Sequence, residues 1–301
     1  MPIFPFDQPG RFWRGNLHTH STRSDGRLAP AQVCALYRDA GYDFLALTDH
    51  FMERYGFPIT DTRPFRAEGF TTLLGAELHT GMTEMGLLWH ILAVGLPEDF
   101  APYPSGETGA EVAERARKAG AFVAAAHPAW YGLTEADVRS LGAIHAIEIF
   151  NGTAADHNDK PDSLYMLDLL LMRGLRYSAC ATDDMHASPE RNDALRGWVW
   201  VNSVALEPEA ILESLKVGAY YSSTGPQIYR MNMEAGEVLR IHCSPANRIW
   251  VTGHGSTSLC VHGHGMREAE FNLKSLGNSP FCRVTVRDIN DRRAWSNPIW
   301  R

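Results

Sequence analysis

Phe44-Leu45-Ala46-Leu47-Thr48-Asp49-His50 is the stretch on which the reading of this chain turns. A short apolar run bounded by polar residues suits a strand buried on both faces, and this one runs straight into Asp49 and His50. Residues 30–40 precede it with Val33, Leu36 and Tyr37 on one helical face and Gly41 as the stop. Earlier still, Arg14-Gly15-Asn16-Leu17-His18 ends a first strand. The alternation continues downstream. Residues 71–76, 89–94, 122–126, 146–150, 177–181 and 198–201 read as strands, and Tyr220-Tyr221 begins a last one. Residues 109–119, 163–172 and 208–217 read as helices stopped by Gly120, Gly174 and Gly218. Thr134 caps a short helix with Glu135 and Asp137 in its first turn.

Repeated strand-then-helix order predicts an α/β fold with a mostly parallel sheet. About seven such units fit a closed or distorted β/α barrel over residues 1–225. After Pro226 helical periodicity stops. Residues 238–243, 248–251 and 283–286 are short and β-rich, separated by Gly, Asn, Ser and Pro, so residues 226–301 read as a small antiparallel β domain. With no long linker, it is expected to pack on the barrel.

The 301 residues are 45% hydrophobic, enough for one large core, and the 21% charged residues include no low-complexity tract. A net charge of −7 suits a nucleic-acid backbone poorly, so no nucleic-acid partner is expected. Cys34, Cys180, Cys243, Cys260 and Cys282 show no Cys-x-x-Cys spacing and are odd in number, which argues against a disulfide framework or a thiolate zinc site. No signal-like segment opens the chain, and no run approaches the roughly twenty apolar residues of a membrane helix. A cytoplasmic location and a small-molecule substrate are the expectations. Oligomeric state is left open.

His, Asp and Glu recur where the strands end. His18 and His20 follow the first, Asp49 and His50 the second, Glu77 the third, and His127 the fifth. His90 opens the fourth. Glu148 sits within the sixth, with Asn151 after it, and Asp183, Asp184 and His186 follow the seventh. In a parallel barrel these ends share one face. Imidazole and carboxylate without thiolate suit zinc, manganese or iron. There are more candidates than one zinc ion takes, so two or three divalent ions are expected, with Glu77 bridging through its two oxygens. Hydrolysis by a metal-activated water follows. His79 is read as pointing away from Glu77, His145 as structural, and His262-Gly263-His264 as a surface turn.

His18-Thr19-His20-Ser21, Asp25-Gly26, Leu47-Thr48-Asp49-His50, Gly75-Ala76-Glu77, His90-Ile91-Leu92, Ala126-His127-Pro128 and Thr182-Asp183-Asp184-Met185-His186 together resemble the PHP (polymerase and histidinol phosphatase) family over about residues 12–225. The resemblance implies a distorted (β/α)7 barrel with a trinuclear centre. It assigns His18, His20, Glu77 and Asp184 to one ion, Glu77, His90 and His127 to a second, and Asp25, His50 and His186 to a third. Asp25 stands where some members have His, and Asp183 where Ser is frequent. The implied reaction is phosphate-ester hydrolysis by a metal-bridging hydroxide, with His186 or Asp25 assisting the leaving group. Arg23, Asn151, His157, Lys160 and Arg191 are the candidate substrate contacts. Ala294-Trp295-Ser296-Asn297-Pro298-Ile299 resembles the ending of a branch that includes carbamate hydrolases. Ester, amide or carbamate cleavage, served by Phe51, Tyr55, Trp130 and Tyr131, is therefore the alternative. A non-catalytic module is a third reading.

Overall fold

A computed structural model of the chain describes residues 4–234 and 237–301. Its strands are β1 (Arg11–Asn16), β2 (Phe44–Leu47), β3 (His50–Phe51), β4 (Thr71–Leu78), β5 (Ile91–Val94), β6 (Phe122–Ala125), β7 (Ala146–Asn151), β8 (Ser178–Thr182), β9 (Trp198–Ser203) and β10 (Tyr220–Ser223), followed by β11 (Ile228–Glu234), β12 (Val238–Thr252), β13 (Ser258–Asn272), β14 (Phe281–Arg287), β15 (Arg293–Ser296) and β16 (Ile299–Trp300). Helices α1 (Pro30–Asp39), α2 (Gly109–Lys118), α3 (Pro128–Tyr131), α4 (Glu135–Ser140), α5 (Gly152–His157), α6 (Leu164–Met172) and α7 (Pro208–Lys216) lie between them.

The strands join in one mixed sheet of order β11-β12-β14-β15-β10-β9-β1-β2-β4-β5-β6-β7-β8. β1, β2 and β4 are parallel neighbours, as are β6, β7 and β8. β5 runs antiparallel to both β4 and β6, and β9 antiparallel to β1 and β10. The sheet is thus less parallel than its strand–helix rhythm predicts. No helix lies between β4 and β5, and without a crossover the chain returns antiparallel.

Hydrogen bonding does not close this sheet into the expected barrel. β8 and β1 share no ladder. They meet at one rim, where an isolated bridge joins Thr19 and Met185 and His20 N–H donates to the Met185 carbonyl at 2.8 Å. Lower down, side chains cover the β8 edge. Ala179 N–H donates to Asn297 Oδ1 at 2.7 Å, and Ser222 Oγ donates to the Ala179 carbonyl at 2.8 Å. Asn297 Nδ2 donates to the Gly218 and Tyr220 carbonyls, both at 3.0 Å.

The C-terminal strands are antiparallel and extend the same sheet through β15 on β10. Residues 238–252 form one strand where two were expected; Pro245 is absorbed at an irregularity between His242 and Ala246. His262-Gly263-His264 lies inside β13, with His262 opposite Arg248, and is not a surface turn.

Inside the curl, Leu17, Ala46, Leu92, Phe122, Ala124, Ala146 and Cys180 make a dry floor. On the outer face, α2 and α6 bury Val112, Leu167 and Leu170 in a cluster that also takes in Phe281 and Trp295 from the C-terminal strands. Burying one such large side chain contributes about 1.5–3 kcal/mol. Among the described residues no helix is long and apolar enough to cross a membrane.

Candidate metal centre

Side chains two apart on a strand share a face. Ala46, Leu92, Ala146 and Cys180 are floor residues. The same parity therefore sends Thr48, His90, Glu148 and Thr182 to the interior just above or beside them. The candidate ligands gather on that floor. Glu77 is at the centre, fully buried. Its Oε1 lies 2.8 Å from His90 Nδ1 and 3.1 Å from His127 Nε2. Its Oε2 lies 2.6 Å from His50 Nδ1 and 3.7 Å from His20 Nε2. Asp184 Oδ1 is 2.8 Å from His20 Nε2 and 3.3 Å from His18 Nε2. Asp25 Oδ1 is 3.3 Å from His50 Nε2 and 3.4 Å from His186 Nε2.

Donor atoms of Glu77, His90 and His127 lie within 4.8 Å of one another, as do those of Asp25, His50 and His186 together with His20. His18, His20, Glu77 and Asp184 do not form one such group. They divide into His18–His20–Glu77 and His18–His127–Asp184. A further group, His50–Glu77–His79, contains a residue expected to face elsewhere. His79 is two residues after Glu77 and so shares its face; that parity was the signal for it.

His90 reaches the cluster because β5 is antiparallel, so the start of β5 stands beside the ends of β4 and β6. His127 and Asp184 hold left-handed backbone, with φ of 28° and 54°. Strain of this kind persists where the surroundings over-determine it, often at functional sites. β7 carries a register irregularity between Glu148 and Phe150. That bulge turns Asn151, three residues on, to the same side as Glu148. Gly26 allows the Asp25 loop to fold under His20: a Cβ there would meet the His20 carbonyl carbon at 2.6 Å.

A second layer fixes these groups. Glu148 Oε1 lies 2.9 Å from His18 Nδ1 and accepts from Thr182 Oγ1, while its Oε2 accepts from His127 N–H at 2.6 Å and Asn151 Nδ2 at 3.0 Å. Asn151 Nδ2 also donates to Asp184 Oδ2 at 3.1 Å. Asp49 accepts from Ser21, Ser24 and Thr60 and so holds the loop that carries Asp25. Asp183 accepts from Tyr37 Oη and from the Leu195, Arg196 and Gly197 amides. Burial pushes its carboxyl up to about 6, opposed by those bonds.

Burial and neighbouring charge pull these groups in different directions. Burial depresses His20 and His90 to about 3, with His186 and His50 adding to the effect at His20. Burial opposes charge on His50 too, but Glu77 and Asp25 raise it to about 10. Burial disfavours the Asp184 and Glu77 carboxylates, yet the surrounding imidazoles hold both below the usual range. His18 Nε2, His20 Nδ1, His127 Nδ1 and Glu77 Oε2 are buried with no hydrogen-bond partner. Buried polar atoms are rarely left so. Of these, His18 Nε2 faces Glu77 and Asp184, and Glu77 Oε2 faces His20 and His50; nitrogen and oxygen donors of this kind fit divalent ions of the zinc, manganese or iron type.

Above the cluster is a cavity of about 350 Å³, lined by Asp25, His50, His90, Trp130, Tyr131 and Arg191 among others. Arg27 and Ser188 line it too; neither was foreseen, although each stands two residues past a candidate ligand. Arg23 and Lys160 do not line it, and neither does His157, which meets Arg191 at 3.4 Å and packs on Trp130. Asn151 is buried in the second layer. Phe51 is core, and Tyr55 stacks on His50 with ring centroids 6.3 Å apart.

No family model matches the chain, and no curated protein matches it. Among solved structures, it is similar to a two-domain protein from Bacteroides vulgatus ATCC 8482 described as containing a predicted PHP-like metal-dependent phosphoesterase. The TM-score is 0.55 at 16% identity, over 96% of this chain and 94% of that one. At that identity the likeness is one of fold, and it spans both the barrel-like region and the C-terminal strands. Two partial likenesses, each over 60% of this chain, have TM-scores below 0.5. One is to a putative metal-dependent phosphoesterase from Bifidobacterium adolescentis ATCC 15703 (0.43, 14% identity, 90% of that chain). The other is to an amidohydrolase from Chromobacterium violaceum (0.44, 17% identity, 89% of that chain).

Proposed function

We propose that this chain is a metal-dependent hydrolase that cleaves a small phosphate ester. Fold alone does not carry that reading; the site does. The observation behind it is Glu77, whose two oxygens face different histidines at the meeting point of groups able to hold two or three ions. Ions bound there would supply an acidified water as nucleophile and offset charge on the reacting group.

The chain's own residues complete the site. Arg27 and Arg191 line the mouth as guanidiniums suited to phosphoryl oxygens. His186 stands beside them, 3.4 Å from Asp25. Burial opposes its charge, but Asp25 and Asp184 raise it, so it is placed to pass a proton to a departing oxygen, while Asp25, held ionised against burial by His186 and His50, orients it. His186 Nδ1 donates to the Asp184 carbonyl at 2.7 Å, which turns Nε2 towards the cavity. Trp130 and Tyr131 form the apolar wall and exclude water on that side. The same wall favours the second reading, an ester, amide or carbamate with an apolar leaving group.

Turnover of p-nitrophenyl phosphate, bis-p-nitrophenyl phosphate and a naphthyl carbamate by protein loaded with Mn²⁺ or Zn²⁺ separates the two. Phosphomonoester turnover is expected, with Arg191→Ala raising KM about tenfold, as befits loss of a charge-assisted hydrogen bond. Carbamate turnover alone, unaffected by Arg191→Ala, would establish the second reading instead.

A further inference from the structure

His79 is buried, lies outside the cavity lining and belongs to none of the ion groups that the motifs imply. Its Nδ1 lies 3.1 Å from the Trp89 carbonyl. A carbonyl only accepts, so Nδ1 carries the hydrogen and Nε2 of the neutral ring offers a lone pair. That lone pair faces His50 Nδ1 at 2.8 Å. Glu77 Oε2 is nearer to His50 Nδ1, at 2.6 Å, yet it makes no hydrogen bond and is left unpartnered. His50 Nδ1–H is therefore taken by His79. On a neutral His50 ring, as an ion ligand must be, this leaves Nε2, 3.3 Å from Asp25, bare towards the group of His20, Asp25 and His186.

We infer that His79 is a positioning residue that fixes the tautomer of His50 and keeps Glu77 Oε2 free for an ion. The inference rests on the ion-binding reading of the site but not on the identity of the substrate. The line runs from the Trp89 carbonyl through His79 to His50. It is a backbone-anchored support of the kind that orients metal-bound imidazoles, whose loss costs about 10–100-fold in metal affinity. Without His79, Glu77 Oε2, 2.6 Å away, is the acceptor left to the His50 Nδ1 proton. Two groups would then lose donors from a single substitution, the one containing His50 and the one containing Glu77. The backbone is held independently. His79 N–H donates to Tyr103 Oη, which in turn donates to the Phe51 carbonyl.

The test combines ion titration with tautomer measurement on the full chain. Zn²⁺ affinity and ions retained per chain are measured for wild type, His79→Ala and His79→Gln. Glutamine keeps an acceptor near the Nε2 position. ¹⁵N-imidazole NMR of the Zn²⁺-loaded wild type reports which His50 nitrogen carries hydrogen, whatever the fate of the variants. The expected result is a protonated Nδ1 and a bare Nε2 on His50, a 10–100-fold weaker ion in His79→Ala, and substantial recovery in His79→Gln. Unchanged affinity in His79→Ala, no recovery in His79→Gln, or a protonated His50 Nε2 would each overturn the inference while leaving the ion site standing. A wild-type chain that binds no ion overturns both.

Discussion

Glu148 shows how much of the centre depends on buried groups that do not line the cavity. Each of its oxygens meets two donors, and the carboxylate ties His18, His127, Asn151 and Thr182 together. In Glu148→Gln, one oxygen becomes an NH₂ group. The His127 amide and the Asn151 amino group are fixed donors, so the glutamine oxygen must serve them. The new NH₂ then faces His18 Nδ1, which must become an acceptor and move its proton to Nε2, the atom that faces Glu77 and Asp184. Glu148→Gln is expected to fold and to bind ions about 10–100-fold more weakly, as read by competition with a chromophoric chelator. Equal affinity would contradict this role. At this scale most of the candidate site was legible in the sequence, because His18 and His20, Asp49 and His50, and Asp184 and His186 sit at strand ends in short motifs. Arg27 and Ser188 were not legible. An arginine in a polar loop looks the same in sequence whether it faces a cavity or bulk water.

Strand direction decides which of those motifs meet. His90 opens its strand, and only the antiparallel course of β5 brings it beside Glu77 and His127. Apolar runs reveal strands but not their direction, so the rhythm of strands and helices overstated the parallel character of the sheet. The same elements are pinned lower down by His145. Its Nδ1 accepts the Val123 amide of β6 at 3.0 Å, and its carbonyl accepts from Ser178 of β8 at 2.9 Å. Burial, with Lys216 and Arg117 nearby, pushes this imidazole down to about 4. The folded value lies below the ordinary one near 6.5, so the neutral ring stabilises the fold above about pH 6.5. That contribution is lost as pH falls towards 4. Wild type is therefore expected to lose more urea resistance between pH 7 and pH 5 than His145→Gln does. Parallel losses would show that His145 titrates alike in both states.

The whole molecule is held at a seam that local sequence does not announce. Asn297 lies 118 positions from Ala179, yet its side chain satisfies an amide on the open edge of β8 and two carbonyls of the Gly218–Tyr220 segment. Arg283 of β14 forms a two-pronged ion pair with Asp168 of α6, at 2.7 and 2.6 Å, and Phe281 and Trp295 pack into the outer core. The barrel expected from repeated units is instead an open curled sheet whose last gap is bridged by backbone at one rim and by side chains below it. Contacts of that kind, made at long range by single residues, leave no periodicity to read. Asn297→Ala strands three buried backbone groups. It is expected to cost about 2–4 kcal/mol in urea unfolding, whereas a change below about 0.5 kcal/mol would mean that the seam is bridged by other means.

The same scale holds the central claim, that these scattered residues jointly bind several ions through Glu77. Metal content per chain, measured by inductively coupled plasma mass spectrometry after gel filtration of Mn²⁺- or Zn²⁺-loaded protein, tests it most directly. Wild type is predicted to retain two or three ions, and Glu77→Ala to lose more than one of them at a single stroke. A wild type that retains no ion, or a Glu77→Ala variant with its full complement, would contradict the account.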